Sequence, residues 1–235
     1  MRVVFKTDVG RVRKENQDWL LVEPPLYAVA DGMGGHKGGK EASLLAATVL
    51  KEALKNKAPD KELLLTAMEA ANRRIYEKQE EDESLSGMGT TLSVIWAGES
   101  EMLIGHVGDS RIYLVRNGIV AQLTQDHSLV AELMKNGYIT ALEASVHPYK
   151  NVITRAIGTN KSVLIDTFKV PCQKNDKWLI CSDGLHGMLT HDALAEALAA
   201  PDLDKAAEKL LAAALENGGT DNISFILLAK EEAEK

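Results

Sequence analysis

Four aspartates lie beside apolar runs whose composition predicts β-strands. Asp31, Asp109 and Asp183 each follow such a run, next to a glycine or a small polar residue. Asp221 precedes another run, which begins at Ile223. Carboxylates that converge at the end of a sheet repel one another, and a hard divalent cation such as Mg²⁺ or Mn²⁺ offsets that repulsion. Asp-Gly and Thr-Asp-Asn also occur in ordinary turns, but four such positions together predict a cation site.

A glycine-rich segment, Asp31 to Gly39, starts at the first of these aspartates. Its glycines could direct backbone N–H groups at a phosphate and lead into a helix predicted from Lys40. The segment lacks the Gly-Lys-Ser/Thr ending of a P-loop, and the glycine spacings of kinases and dinucleotide-binding folds do not fit it. We therefore interpret it as a metal loop, in which a backbone carbonyl joins the carboxylate of Asp31.

Other phosphate chemistries find little support. Cys181 is followed by Ser182 to Gly187 without the arginine that a cysteine phosphatase needs. No Gly-x-Ser-x-Gly nucleophile motif is present. His191-Asp192 lacks the upstream histidines of a histidine-aspartate metal site, so His191 is better read as the start of a helix.

The composition predicts one folded globular domain. The chain has 235 residues, of which 45% are hydrophobic and 26% charged, so it can bury a core. The formal net charge of −7 argues against a nucleic-acid-binding surface. Fixed-period repeats and Pro/Gly/Ser-rich linkers are absent from the sequence.

The sequence predicts a cytoplasmic protein with no membrane partner. No run approaches the ~20 apolar residues that a bilayer span requires, and Met1 to Lys6 breaks before a signal-peptide core could form. Cys172 and Cys181 are the only cysteines, and their spacing fits neither a disulfide framework nor a CxxC site. We expect two reduced, buried thiols.

Hydrophobic periodicity predicts an α+β fold. Apolar residues at steps of three and four predict two long helices, and Asn117-Gly118 predicts a type I′ hairpin turn. The order of elements is not a strict βαβα alternation, which favours antiparallel sheets flanked by helices. The predicted strands are residues 3–5, 19–22, 26–30, 90–97, 102–107, 111–115, 119–123, 163–170, 177–181 and 223–229. The predicted helices are 40–56, 60–79, a short one capped by Ser128, 190–200 and 202–217.

The chain resembles the metal-dependent serine/threonine protein phosphatases of the 2C type, in particular their short bacterial members. Eight segments carry the resemblance in order along nearly the whole sequence. They are Thr7–Asp18, Asp31–Gly39, Gly87–Thr91, Gly105–Tyr113, Leu123–Ser128, Ile153–Gly158, Ser182–Leu185 and Gly218–Asn222.

The resemblance implies a four-layer αββα sandwich, with two antiparallel β-sheets between outer helices and metal ions at one end. In such enzymes the residue matching Asp31 bridges two Mn²⁺ or Mg²⁺ ions, and the carbonyl matching Gly32 completes one site. Residues matching Asp183 and Asp221 hold the other ion. A third, weaker ion would be shared by Asp109 and Asp183.

The resemblance also implies roles around the metals. A water bridging the two ions would attack phosphorus in line, oriented by the residue matching Asp18. Asp126 and Asn222 would support the ligands from outside. Arg13 matches the arginine that binds the phosphate, whose planar fork can grip two oxygens.

The proton donor for the leaving group has two candidates. Animal members carry a histidine two residues after the bridging aspartate, where this chain has Met33. His36 is the nearest candidate general acid, and metal-bound water is the alternative. Gln17 replaces a glutamate of the animal members, which should lower the local negative charge.

Residues 1–235 are expected to form a single phosphatase catalytic domain, with a flap insertion at about residues 126–160 beside the site. Met134, Tyr138, Tyr149 and Arg155 could contact substrate, although the apolar stripe of the flap helix also fits simple packing. Thr154 and Arg155 could instead stabilise the end of the flap.

The favoured function is hydrolysis of phosphoserine and phosphothreonine in proteins, opposing a serine/threonine kinase, by a chain we expect to be monomeric. One alternative is the same chemistry on small phosphate esters. Another is a non-catalytic phosphoprotein-binding module, but such a module would have no reason to keep Asp31, Asp109, Asp183 and Asp221 together.

Overall fold

The computed structural model describes residues 1–230, with residues 35–37 described by their backbone alone. The strands are β1 (Arg2–Asp8), β2 (Asp18–Glu23), β3 (Leu26–Met33), β4 (Gly89–Thr90), β5 (Leu92–Ala97), β6 (Glu101–Val107), β7 (Arg111–Arg116), β8 (Ile119–Gln122), β9 (Asp166–Pro171), β10 (Lys177–Cys181) and β11 (Ile223–Ala229). The helices are α1 (Gly35–Leu54), α2 (Lys61–Glu81), α3 (Leu129–Lys135), α4 (Ala141–Ser145), α5 (Asp183–His186), α6 (His191–Leu198) and α7 (Leu203–Glu216), with a 3-10 turn at Glu83–Leu85.

The strands form two antiparallel sheets. One has the order β1-β11-β10-β7-β8, and the other has the order β2-β3-β5-β6-β9, with β4 paired to β3. Helices α1 and α2 pack on the second sheet, and α6 and α7 pack on the first. The α+β class and the αββα layering expected from the sequence are therefore confirmed.

Strand β11 is buried on both of its faces. Phe225 and Leu227 belong to the core under α6 and α7, whereas Ile226 and Leu228 belong to the core between the sheets. Successive strand residues point to opposite faces, so a strand covered on both sides must be continuously apolar. Complete burial of each such side chain contributes roughly 1.5–3 kcal/mol to folding.

Most predicted elements are present, with shifted boundaries. The first long helix begins at Gly35 rather than Lys40, because Gly34, at a φ of 108°, turns the chain into it. The strand predicted over residues 90–97 is two strands, β4 and β5, with Thr91 between them. The strand predicted from residue 163 begins only at Asp166.

The predicted hairpin turn, helix cap and buried thiols are confirmed. Asn117 and Gly118 have φ angles of 53° and 77° and join β7 to β8. The Ser128 side chain caps α3 by accepting a hydrogen bond from the Ala131 N–H. Cys172 and Cys181 are buried free thiols. Within residues 1–230, helices long and apolar enough for a bilayer span are absent.

The sequence reading missed helix α4 inside the flap insertion. Thr140 accepts a hydrogen bond from the Glu143 N–H, and the Glu143 carboxylate accepts one from the Thr140 N–H. This reciprocal pair is a capping box, and its Ser/Thr-x-x-Glu pattern was present in the sequence as a signal.

Helix α2 holds the end of the flap insertion. The Asn72 side chain accepts a hydrogen bond from the Gly158 N–H at 2.7 Å, and the Gln79 amide donates to the Gly158 carbonyl at 2.6 Å. Gly158 has a φ of 92°, and a Cβ there would lie 2.1 Å from Cγ2 of Ile75. Only glycine fits this contact between the flap and the helix.

We expect Gly158→Ala to destabilise the protein strongly, because it adds a steric clash to backbone strain. Gly118→Ala is the matched control: its φ is 77° but nothing lies within 4 Å of the added carbon. In urea unfolding, the free energy of unfolding should fall by about 1 kcal/mol in Gly118→Ala. In Gly158→Ala it should fall by about 1–3 kcal/mol more. Equal losses in the two variants would show that α2 does not confine Gly158.

Candidate metal centre

The aspartates singled out in the sequence meet at one end of the sandwich. Asp31, Asp109, Asp183 and Asp221 line a common cavity of about 640 Å³. The complete lining comprises Val12, Arg13, Lys14, Glu15, Gln17, Asp31, Gly32, Met33, Gly34, Asp109, Asn151, Ile153, Asp183, Asp221 and Asn222. Residues far apart in sequence thus form one acidic site.

Asp31 is fixed by backbone and hydroxyl groups of the neighbouring β4–β5 segment. Its N–H donates to the Thr91 hydroxyl at 2.9 Å, and its carbonyl accepts from the Thr91 N–H and the Thr90 hydroxyl, both at 2.9 Å. The backbone on both sides of the carboxylate is therefore held in place, and the side chain remains available to the cavity.

Gly32 allows the close approach of three chain segments beside Asp31. A Cβ at Gly32 would lie 2.0 Å from the Gly39 carbonyl oxygen and 2.6 Å from that of Gln17. The Gly32 N–H also donates to the Gln17 carbonyl at 3.2 Å. Any side chain here would push apart β3, the start of α1 and the loop before β2.

Asp18 lies directly across the β2–β3 ladder from Asp31. Its Oδ2 accepts a hydrogen bond from the Ser182 hydroxyl at 2.9 Å, whereas its buried Oδ1 has no hydrogen-bond partner. Burial raises the pKa of Asp18 to about 7, although hydrogen bonds from Ser224 and Ser182 oppose the rise. A buried oxygen of this kind calls for a cation or an ordered water.

The carboxylates repel one another. Burial first, and then the charges of Asp18, Asp183, Asp109 and Asp221, raise the pKa of Asp31 well above its usual value. Burial and Asp221 raise the pKa of Asp183, and a hydrogen bond between the Asp183 and Asp31 side chains opposes this rise. Burial and Asp183 raise the pKa of Asp109 to about 7.

This donor set fits divalent cations. The carboxylates and the backbone oxygens around Gly32 are the hard ligands that Mg²⁺ and Mn²⁺ prefer, and the unpaired Oδ1 of Asp18 adds an acceptor nearby. Among side chains that the structure describes, no three His, Cys, Asp or Glu residues could hold an ion by themselves. Carbonyl and water ligands would have to complete each shell, as is usual for Mg²⁺.

Arg13 lies at the cavity, as predicted, but it has an acidic partner. Its Nη2 donates to Oδ2 of Asp221 at 2.7 Å, and its side chain is 55% exposed. This ion pair keeps the guanidinium beside the carboxylates while leaving most of its N–H groups open to solvent. Such a group can bind an anion that enters the cavity.

Asn222 and Asp126 support the site indirectly. The Asn222 side chain accepts from the Gln17 N–H and donates to the carbonyls of Val9 and Glu15, so it holds the loop that carries Arg13. Asp126 accepts paired hydrogen bonds from Nε and Nη2 of Arg111, the residue after the Asp109 turn.

Three buried or partly buried histidines hold the turn that carries Asp109 and the adjoining start of the flap. His106 contacts the Gln125 carbonyl, His127 accepts from the Gly108 N–H, and His186 contacts the Asp109 carbonyl at 3.0 Å. A carbonyl can only accept, so Nε2 of His106 and of His186 carries the hydrogen. Burial first, and then the neighbouring positive charge of Arg111, lower the pKa of His186 to about 3.

Some predicted residues do not reach the cavity. Met134, Tyr138 and Tyr149 are exposed and are not among the residues that line it. Arg155 instead pairs with Asp166 and donates to the Leu164 carbonyl, which fits its alternative role at the end of the flap. The side chain of His36, the candidate general acid, lies outside the described residues.

Other residues of the site were missed by sequence reasoning. Asn151 and Ile153 bring the flap to the cavity, and Ser182 holds Asp18. The resemblance included Ser182 and Ile153 within matched segments but gave them no role. Asn151 lies outside every matched segment, and nothing in the sequence marked it.

Known proteins match this chain over nearly its whole length. The family model described as protein phosphatase 2C matches residues 8–218. The serine/threonine phosphatase stp of Listeria monocytogenes serotype 4b is 39% identical over 251 residues, covering 100% of this chain and 98% of that protein.

Solved structures share the fold of the chain. The Mycobacterium tuberculosis serine/threonine phosphatase PstP/Ppp has a TM-score of 0.94 at 35% identity, covering 98% of this chain and 99% of the other. A structure of the PstP catalytic domain with two manganese ions has a TM-score of 0.90 at 32% identity, covering 98% of both chains. The chain therefore belongs to the protein phosphatase 2C family, and it is an enzyme of the serine/threonine phosphatase class.

Proposed function

We propose that this enzyme hydrolyses phosphoserine and phosphothreonine in proteins with the help of two Mn²⁺ or Mg²⁺ ions, opposing a serine/threonine kinase. The observation that supports this most is the convergence of Asp31, Asp183 and Asp221 on one cavity that Arg13 also lines. The Mn²⁺-bound PstP catalytic domain supports the choice of metal. In this proposal residues 1–235 act as one monomeric catalytic domain, with residues 126–160 as its flap.

The residues that would hold the ions follow from the geometry and the resemblance together. Asp31 would contribute to both ions, the Gly32 carbonyl to one, and Asp183 and Asp221 to the other. Asp109 and Asp183 would share a third, weaker ion. When bound, such ions lower the pKa of a water to near neutrality and offset the negative charge of the phosphoryl group.

The side chains of the chain itself have three tasks. Arg13 binds the phosphoryl oxygens, exchanging its contact with Asp221 for a paired contact with the substrate. The unpaired Oδ1 of Asp18 accepts a hydrogen bond from the attacking water and orients it. Met33 lines the cavity but cannot donate a proton, so His36 remains our candidate for protonating the leaving alkoxide.

Hydrolysis of a phosphothreonine peptide with and without Mn²⁺ tests the proposal directly. We expect Mn²⁺-dependent release of phosphate from the peptide. Activity confined to small phosphate esters would favour the first alternative, metabolite hydrolysis. Binding of the phosphopeptide without any turnover would favour the second, a non-catalytic module.

We predict that Asp31→Asn stabilises the metal-free protein while abolishing catalysis. Because burial and neighbouring charges raise the pKa of Asp31, its ionisation in the folded state lowers the free energy of unfolding as pH rises above about 3.9. Asparagine removes that penalty, so the melting temperature in EDTA at pH 8 should rise by at least about 3 °C, roughly 1 kcal/mol.

In the same variant, phosphopeptide turnover should fall at least about 100-fold and Mn²⁺ should no longer raise the melting temperature as it does in the native protein. The exposed Asp192→Asn is the matched control and should change neither quantity. If Asp31→Asn is less stable than the native protein without metal, or still hydrolyses the phosphopeptide, the result contradicts the assigned role of Asp31.

We predict that Arg13→Ala mainly weakens substrate binding. The KM for a phosphothreonine peptide should rise about 10-fold or more, with a smaller change in kcat, because the paired contact to the phosphate is lost. Arg13→Lys should restore the charge but only part of the affinity. Arg11→Ala is the control, because the side chain of Arg11 is not part of the cavity lining. If Arg13→Ala instead lowered kcat sharply at an unchanged KM, the result would count against a role in substrate binding.

A further inference from the structure

The turn that carries Asp109 is held by groups from several parts of the fold. The backbone N–H of Gly108 donates to Nδ1 of the His127 imidazole at 3.0 Å. The Gly108 carbonyl accepts from the backbone N–H of His127 at 2.8 Å. The Ser110 carbonyl accepts from the Ser93 hydroxyl at 3.2 Å. Gly108 has a φ of 111°, and a Cβ there would lie 2.6 Å from the Thr91 side chain. The backbone on either side of Asp109 is thus fixed.

The carbonyl of Asp109 itself is held by His186. Nε2 of His186 lies 3.0 Å from this oxygen, and because a carbonyl only accepts, Nε2 carries the hydrogen. This contact joins the β6–β7 turn to helix α5, across a sequence separation of 77 residues. The backbone partners of the turn belong to its own sheet neighbourhood or to the flap, so His186 is its direct link to α5.

Helix α5 also carries Asp183. Asp183 and His186 are its first and last residues, three positions apart, which places both side chains on the same side of one helical turn. The same turn of helix therefore presents a carboxylate to the cavity and holds the backbone of a second carboxylate. The hydrogen bond of His186 therefore joins the backbone at Asp109 to the helix that carries Asp183.

We propose that His186 is a positioning residue that sets the spacing between the carboxylates of Asp109 and Asp183, and thereby the affinity of the weak third ion. This inference rests on the proposed sharing of that ion by Asp109 and Asp183. His186 is not among the residues that line the cavity, and Asp31, Gly32 and Asp221 are held by other contacts. Loss of the His186 hydrogen bond should therefore affect the weak ion selectively.

Two amide variants form a matched test. In His186→Gln the amide nitrogen reaches about as far as Nε2 of histidine and can still donate to the Asp109 carbonyl. In His186→Asn the side chain is one methylene shorter and cannot reach it. Both variants are polar and uncharged, so they differ mainly in whether this hydrogen bond can form.

Isothermal titration of the metal-free protein with Mn²⁺ gives a readout independent of catalysis. We expect the affinity for the weak ion to fall about 10-fold or more in His186→Asn and to stay within about threefold of the native value in His186→Gln. The two tight ions should be unchanged in both. The Mn²⁺ concentration that gives half-maximal phosphopeptide hydrolysis should shift in parallel.

Gly118→Ala is the control for a general loss of stability, because Gly118 lies in the hairpin turn between β7 and β8. This variant should leave all Mn²⁺ affinities unchanged. If His186→Asn does not fold, as judged by circular dichroism, His186→Leu replaces it as the variant without a donor. Native-like affinity for the weak ion in the variant that lacks the donor overturns the inference, and so does an equal weakening of all ions.

The outcomes also separate this inference from the proposed function. A native protein that binds only two ions yet hydrolyses the phosphopeptide overturns the role of His186 and leaves the two-ion phosphatase intact. A native protein that neither binds Mn²⁺ nor hydrolyses the phosphopeptide overturns the proposed function, and the inference with it.

Discussion

Mutual repulsion among buried carboxylates is the constraint around which this end of the sandwich is built. Asp18, Asp31, Asp109 and Asp183 all have a raised pKa, in each case first because of burial and then because of the charge of at least one neighbouring aspartate. Arg13 pairs directly with Asp221, which lines the same cavity. Such a cluster is unfavourable by itself, and bound cations would make the same charges the ligands of the proposed catalytic centre.

The fold opposes that repulsion by fixing the backbone at each carboxylate. Threonine hydroxyls and N–H groups hold Asp31, a serine hydroxyl holds Asp18, and imidazoles hold the turn of Asp109. These hydrogen bonds are short-range and directional, so each fixes one chain segment. The layers of buried apolar residues supply the stability that offsets the cost of burying these carboxylates together.

Local patterns could predict antiparallel sheets flanked by helices and the aspartates beside the strands, whereas the four-layer arrangement was implied by the family resemblance. Continuous apolar runs marked the strands that are covered on both faces, and Asn117-Gly118 marked its turn through backbone geometry alone. The start of α1 was misplaced because its glycines disfavour helix in isolation, whereas in the fold Gly34, which lies close to Gly87 and Met88, turns the chain into the helix. The cavity contacts of Asn151 and Ile153 and the link from His186 to Asp109 arise only from tertiary structure, which leaves no periodic signal in the sequence.

Anomalous diffraction from a crystal grown in Mn²⁺ tests the central claim most directly, because it locates the ions without reference to activity. The account predicts two strong manganese peaks in the cavity, with the Asp31 carboxylate between them, the Gly32 carbonyl on one and Asp183 and Asp221 on the other. Peaks only elsewhere on the surface, or a cavity without manganese, would contradict it.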